Sequence, residues 1–338
     1  MNKKEIVELL RNVDSKEAEN IFKTAAETKK RIFNNEVHLR AIVEISNYCH
    51  KNCSYCGLNA TNKILKRYRM SLDDILFSVK KAVVFNFKTI ILQSGEDPLL
   101  SSQFIENLIM QIKNNFDVAL TLSLGERDIS DYKRWRDLGA DRYLLKFETS
   151  NPLLYDKLHP SSKGNLKNRL GKIKELKKLG YETGSGIMVG LPFQSYDSLA
   201  EDLLLINRLD LDMIAIGPYI PHRKTSLAKE THKIEIKNVE KTVLLMISLA
   251  RIMNPTTNIP STTALSVLDP LEGRAAGLRC GANVIMPDLT TEPYKSMYEI
   301  YDGKNKSNEW NNIEQQKLID FLKFLGQKPS STKGFRLK

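Results

Sequence analysis

Residues 71–94 read SLDDILFSVKKAVVFNFKTIILQS. The first sixteen place Leu72, Ile75, Leu76 and Val79 three and four apart, the spacing of one helical face, and Ser71 stands before them as an N-cap. KTIILQS (88–94) follows as a short apolar run of strand length. An earlier run, AIVEIS (41–46), makes the segment a strand–helix–strand unit. Six more runs continue the alternation: VALTLSL (118–124), RYLLKFE (142–148), GSGIMVG (184–190), MIAIGPY (213–219), NIPSTTA (258–264) and NVIMP (283–287). Helical patterning lies between most of them, as in SYDSLAEDLLLINRLD (195–210), with Ser195 as its N-cap. Near-continuous apolar runs are what parallel strands covered on both faces require. Eight such units predict a (β/α)8 TIM barrel; an open doubly wound sheet is the competing arrangement on pattern alone.

The flanks differ from the repeat. Residues 1–40 predict helices packing on the barrel, with Ser15 as a start signal, and residues 41–300 predict the barrel itself. Residues 301–338 predict one helix, near 312–325, that stops at Gly326 and runs into a polar, frayed tail.

The chain has 338 residues, 41% apolar and 27% charged, with a formal charge of +11. That is ordinary for a folded enzyme. The lysines are dispersed: stretch 163–178, KGNLKNRLGKIKELKK, mixes them with Leu and Ile at helical spacing and reads as a solvated helix face. No basic–aromatic alternation points to nucleic acid, and the charge leaves an anionic small-molecule substrate open. The N-terminus is interrupted by charges every few residues, which excludes a signal peptide, and no later stretch is long and apolar enough to span a membrane. The expected location is the cytoplasm.

Three of the four cysteines, Cys49, Cys53 and Cys56, lie within eight residues in EISNYCHKNCSYCGLNA, immediately after the first strand. In a barrel that is the C-terminal face, where active sites form. Structural zinc wants four closed ligands, which here would need His50 or Cys280. A fully ligated 4Fe–4S cluster also wants four cysteines. Three thiolates instead leave one iron open to chelation by an amine and a carboxylate, such as the methionine end of S-adenosylmethionine (SAM). An electron passed to the sulfonium would then release a 5′-deoxyadenosyl radical. Cys280, just before the eighth run, reads as a small buried residue at the other end of the barrel.

The spacing C-x3-C-x2-C with Tyr55 before the last cysteine resembles the radical SAM superfamily. SNYCHKNCSYCGL, KRYRMS, LQSGEDP, TLSLGE, DRYLLKFETSNP, LGYETGSGIMVGLP, IAIGPYIPH, NIPSTTA and RCGANVIMP further resemble the iron–iron hydrogenase maturase HydE family, over residues 46–287. Methylornithine synthase and biotin synthase are similar in architecture and share fewer of these strings. The resemblance implies one 4Fe–4S cluster on Cys49, Cys53 and Cys56, with Tyr55 near the adenine of SAM. It implies cofactor contacts at Gln93, Ser94, Gly95 and Glu96, the acid taking the methionine ammonium. Thr121 and Ser123 would serve the carboxylate or ribose, Glu148 the ribose, Arg169 the methionine carboxylate, and Met188 would pack beside the cofactor. Lys146, Thr262 and Thr263 would touch the substrate. The implied reaction is radical attack on a small sulfur-bearing, organometallic or anionic substrate, during assembly of the diiron part of the hydrogenase H-cluster. The implied partners are a reductant such as flavodoxin or ferredoxin and other hydrogenase maturases.

Two features depart from the family. No cysteine follows Tyr301, so the second cluster of some members is excluded. Lys146–Phe147 stand where arginine–histidine is usual, and a lysine point charge does not replace a guanidinium fork. This leaves open a paralogue acting on an organic molecule such as an amino acid. A non-catalytic metal- or nucleic-acid-binding protein is the alternative from a different class.

Overall fold

In a computed structural model, described for residues 1–162, 164–304 and 308–337, the strands form one curled parallel sheet wrapped by helices. Lys163, at the head of the lysine-rich stretch, and tail residues 305–307 and 338 lie outside the described set. Two helices come first, α1 (Lys3–Arg11) and α2 (Lys16–Phe33), and Ser15 caps α2 by accepting the Ala18 N–H. They pack against α8 (Tyr196–Leu209) and α9 (Val239–Met253), which belong to the helical layer outside the sheet.

Strand β1 (Glu36–Ser46) begins five residues before the run at 41. The order then runs β2 (Thr89–Ser94), β3 (Ala119–Ser123), β4 (Arg142–Leu144), β5 (Glu182–Val189) and β6 (Met213–Pro218), each parallel to the one before. The helices between them bury their apolar stripes on the sheet; α3 (Leu72–Val84), for example, buries Ile75, Val79 and Ala82 and is capped by Ser71. In α7 (Leu166–Lys178), Leu166, Ile173 and Leu176 are buried, while Lys167, Lys174 and Lys178 are exposed.

The seventh run departs from a regular strand. NIPSTTA contributes single parallel bridges, Met213 to Asn258 on one side and Pro260 to Val284 on the other. Pro260 has no N–H to donate, so a continuous ladder cannot form. The bridges nevertheless link β6 to β7 (Val284–Ile285), and β7 pairs with β1, which closes the eight-membered ring. Thr262 and Thr263 do not end a strand: Thr262 precedes the short helix α10 (Thr263–Leu268), and Thr263 opens it.

The tail is tied down, against the expectation of fraying. After α12 (Asn312–Phe324), β8 (Lys328–Pro329) pairs with the start of β1. The following residues cross the N-terminal end of the barrel. The Lys333 carbonyl accepts from Thr89 and Arg142 (2.9 and 2.8 Å), and the Gly334 carbonyl accepts from Arg40 and Asn258 (3.0 Å each). Arg40 and Arg142 are buried, so these carbonyls satisfy donors that would otherwise be costly to leave unpaired. Among the described residues, no helix is long and apolar enough to cross a membrane.

Candidate active site

The open end of the barrel carries the cysteines on a loop that runs from Asn47 to Asn62. Arg67 holds this loop from below, its two terminal nitrogens donating to the carbonyls of Asn47, Leu58, Asn59 and Asn62. Gly95, at the end of β2, lies against its other side. A Cβ there would sit 2.3 Å from the Tyr48 carbonyl oxygen and 2.8 Å from the Cys49 Cβ, so only glycine lets the loop seat. The sequence suggested close approach of a ligand to Gly95; the structure puts the cysteine loop there. Asp97, from the same LQSGEDP motif, accepts from Ser46 and from Nε and Nη2 of Arg69, whose guanidinium lies 3.7 Å from the Tyr48 ring centroid. Burial alone would raise the Asp97 carboxyl, but Arg69 and Ser46 pull it below its ordinary value.

Burial raises all three thiols: Cys53 most, with its two neighbours adding to the effect, and Cys56 to about 12. Such thiols keep their protons unless a cation takes their place, which is the condition a three-thiolate cluster site meets. Cys280 is buried at the end of helix Gly273–Arg279, four residues before β7, where its carbonyl accepts from the Ser248 hydroxyl, so it does not belong to this loop.

Beneath the loop, a cavity of about 340 Å³ fills the upper barrel. Its size suits a small-molecule site. Strand alternation aims Gln93, Ser123, Lys146, Glu148 and Met188 into it, and Tyr55, Cys56, Thr262 and Thr263 complete the wall. Lys146 and Glu148 do face inward together, and they pair at 2.8 Å. Regular β4 ends at Leu144, but the chain stays beside β5, since the Leu145 and Glu148 N–H groups donate to the Gly184 and Gly186 carbonyls, and Glu148 itself adopts φ +63°. Asp202 on α8 anchors the turn that follows, accepting from the Ser150 N–H and hydroxyl. Thr121 points inward one layer deeper and does not line this cavity.

Tyr55 stacks edge-on against His159, a residue the sequence reading passed over. The His159 Nδ1 lies 3.0 Å from the Tyr155 carbonyl, so it carries the proton and Nε2 accepts from the Tyr55 hydroxyl at 3.3 Å. Burial, reinforced by Arg169, lowers His159 to about 4, consistent with this neutral tautomer.

Glu96 and Arg169 occur together, but not free. Glu96 faces Lys51 at 3.4 Å and Arg169 at 3.7 Å, and Arg169 pairs more closely with Glu126 at 2.7 Å. Burial would discharge Arg169; Glu126, Tyr155 and Glu96 raise it instead. Gly125, at φ +74°, brings its Cα so close to Glu96 that a Cβ would overlap the Glu96 side chain. Glu126, Lys51 and His159 thus join the site without having been singled out in the sequence. Glu126 had one signal, its place beside Ser123 in TLSLGE at a strand end.

Three further groups were missed: Glu44, Lys304 and Asp288. Lys304 reaches from the segment that covers the cavity down to Glu44 (2.5 Å) and Asp288 (3.3 Å). The covering segment is fastened to the cysteine loop, since the Gly57 N–H donates to the Ile300 carbonyl at 2.9 Å.

The sequence profile of the radical SAM superfamily matches residues 43–206. The [FeFe] hydrogenase maturase subunit HydE of Thermotoga maritima is 46% identical over 318 residues, 94% of this chain and 89% of that protein. The chain belongs to the HydE family of radical SAM enzymes. 3-Methylornithine synthase of Methanosarcina acetivorans is 27% identical to this chain, over 95% of it and 88% of that protein. A crystal structure of methylornithine synthase shares the fold, with a TM-score of 0.82 at 24% identity over 96% of this chain and 94% of that one. Radical SAM enzymes use a 4Fe–4S cluster and SAM, and Cys49, Cys53 and Cys56 fit their three-cysteine motif.

Proposed function

We propose that this chain acts on a small sulfur-bearing substrate in assembly of the diiron subsite of the iron–iron hydrogenase H-cluster. The observation that carries the reading is the near full-length likeness to a HydE maturase, joined to a small, mainly apolar chamber with a few inward polar groups that meets the cysteine loop at Cys56. Cys49, Cys53 and Cys56 would hold the cluster. When bound, the cluster supplies the electron that cleaves SAM into methionine and a 5′-deoxyadenosyl radical.

The protein's own groups bind, orient and exclude water. Tyr55, fixed by His159, offers a flat apolar face to the adenine. Glu148 lies near enough to Tyr55 to take the ribose hydroxyls, its Oε1 standing 3.5 Å from the Tyr55 hydroxyl. Gln93, Ser94, Ser123 and Met188 line the same chamber and would complete the cofactor contacts, with Gly95 seating the loop. Glu96 would take the methionine ammonium and Arg169 its carboxylate. Each is already held by an opposite charge, so binding exchanges partners rather than exposing an unpaired ion. Thr121 would act from the layer beneath. Lys146 gives the chamber a cation for an anionic substrate group, with the Thr262 and Thr263 hydroxyls across from it. We place the reaction in the cytoplasm, with flavodoxin or ferredoxin as reductant and other hydrogenase maturases supplying and receiving the iron species.

The test uses anaerobically reconstituted protein, dithionite, SAM and a cysteine-bound iron carbonyl–cyanide precursor. The reading expects 5′-deoxyadenosine or an adenosylated sulfur species that depends on the precursor. Cofactor cleavage unaffected by Cys53→Ala would sink it, as would failure to restore hydrogenase in a strain lacking its HydE.

A further inference from the structure

Asp202 is an acid on an apolar helix face. On α8 it shares a stripe with Leu199, Leu203 and Ile206, and all four are buried. It is fully inaccessible, and no cation offsets its charge. Glu201 beside it is turned to the partly exposed side, where it pairs with Lys3, so it adds repulsion rather than relief. An acid buried in this way is costly unless hydrogen bonds replace the lost water.

Three donors do so, and all come from the two residues that follow Glu148. The Ser150 N–H, the Ser150 hydroxyl (2.6 Å) and the Thr149 hydroxyl (3.3 Å) converge on one carboxylate oxygen. The other oxygen has no hydrogen-bond partner. Ser198, one turn earlier on α8, meets the Thr149 hydroxyl at 3.4 Å. Burial raises the Asp202 carboxyl to about 7, with the three bonds opposing it.

The residue next to this joint is strained. Glu148 stands at φ +63°, a left-handed conformation that costs a side-chain-bearing residue about 1–2 kcal/mol. Such a conformation persists only when its surroundings over-determine it. On one side β5 holds it: the Glu148 N–H donates to the Gly186 carbonyl, and the Met188 N–H donates to the Glu148 carbonyl. On the other side the chain leaves the sheet for the helix Pro152–Leu158, and Asp202 fastens residues 149 and 150.

We propose that Asp202 is a positioning residue for Glu148, holding the left-handed turn that directs this carboxylate into the chamber at the SAM ribose. The proposal rests on the ribose role given to Glu148 above. It assigns a share of cofactor affinity to α8, none of whose described residues lines the chamber.

The test is calorimetric titration of SAM into anaerobic, cluster-loaded protein: wild type, Asp202→Ala, Asp202→Asn, Glu148→Ala and the double variant Asp202→Ala/Glu148→Ala. Asp202→Ala is expected to weaken SAM binding about tenfold, the scale of one hydrogen bond to a charged group. Asparagine keeps an oxygen for the three donors and resembles the neutral acid, so Asp202→Asn should stay within about threefold of wild type. In the Glu148→Ala background, Asp202→Ala should cost less than about twofold, because the two side chains act through one contact. A joint of purely structural value would lower unfolding free energy and leave SAM affinity of the folded protein unchanged. That outcome overturns the proposal, as does an equal tenfold loss in both backgrounds, or Asp202→Asn binding as weakly as Asp202→Ala. Should Asp202→Ala not fold, Thr149→Val/Ser150→Ala, which strips both hydroxyl donors from the same carboxylate, takes its place in the cycle with the same pattern expected. Glu148→Ala reports separately on the reading beneath: unchanged SAM affinity in that variant removes the ribose role and the inference with it, whereas weakened affinity without coupling to Asp202 removes only the inference.

Discussion

Single residues at this site are constrained by what lies on their far side. Gly95 faces the Tyr48 carbonyl, and a methyl group there forces the cysteine loop to move. Gly95→Ala should therefore lower iron incorporation and reduce cofactor cleavage about 100-fold, the scale set by an ångström of misplacement. Iron analysis and product chromatography check both. His159 makes a pH prediction. Its folded value of about 4 lies below the ordinary 6.5, so under acid the unfolded chain takes up a proton that the folded one refuses. Stability is then complete above pH 6.5 and falls as the pH drops towards 4, by up to about 3 kcal/mol for the full shift. His38 titrates in the same window for the same reason, burial. His159→Gln should flatten the slope of unfolding free energy against pH between 6.5 and 4 by one proton; an unchanged slope would refute the assignment. Glu44 shows why some site residues escaped the sequence. A lone acid within AIVEIS is a local blemish in an apolar run. It becomes legible only when Lys304, 260 positions later, is seen to descend onto it.

At the scale of elements, short strands and a clamped loop share the work. The cysteine loop has little regular structure, and Arg67 substitutes for it by satisfying four carbonyls at once. Lysine cannot span that fan. Arg67→Lys should cost about 2 kcal/mol, a few bonds to a charged group, and should make cluster loss under chelator faster than in wild type. Calorimetry and the decay of the cluster's visible absorbance would measure the two effects. Most strands were readable because parallel strands with helices outside and a packed barrel interior inside are largely apolar on both faces. Two were misjudged for backbone reasons. Pro260 cannot donate, so the seventh run bridges without forming a ladder, and RYLLKFE keeps only three residues of regular strand before it reaches an isolated bridge at Glu148, which has φ +63°. Periodicity reports side chains, and neither cause is visible to it.

For the whole molecule, the floor of the barrel is as specific as its mouth. Residues 333 and 334 give carbonyls to Arg40 and Arg142, and the Phe335 ring lies 4.4 Å from the Arg142 guanidinium. Their sequence, STKGFRLK, carries no periodic signal, which is why fraying was expected. Deleting residues 331 onward should leave two buried guanidinium groups short of acceptors, at about 1–3 kcal/mol each. The deletion should lower the unfolding temperature by several degrees. A variant as stable as the parent would show that the tail is decoration.

Strand β1 has one neighbour, β2, made soon after it, and two, β7 and β8, made much later. Val284, which pairs with His38, follows the end of β1 by 238 residues. At the usual 5–20 residues per second, translation leaves that flank of β1 open for roughly 10–50 s. During this interval the nascent chain exposes an apolar edge of the kind that recruits foreign strands. Expression trouble with this protein is thus expected to follow elongation rate and chaperone supply, and slower translation beyond the sixth strand would lengthen the exposure.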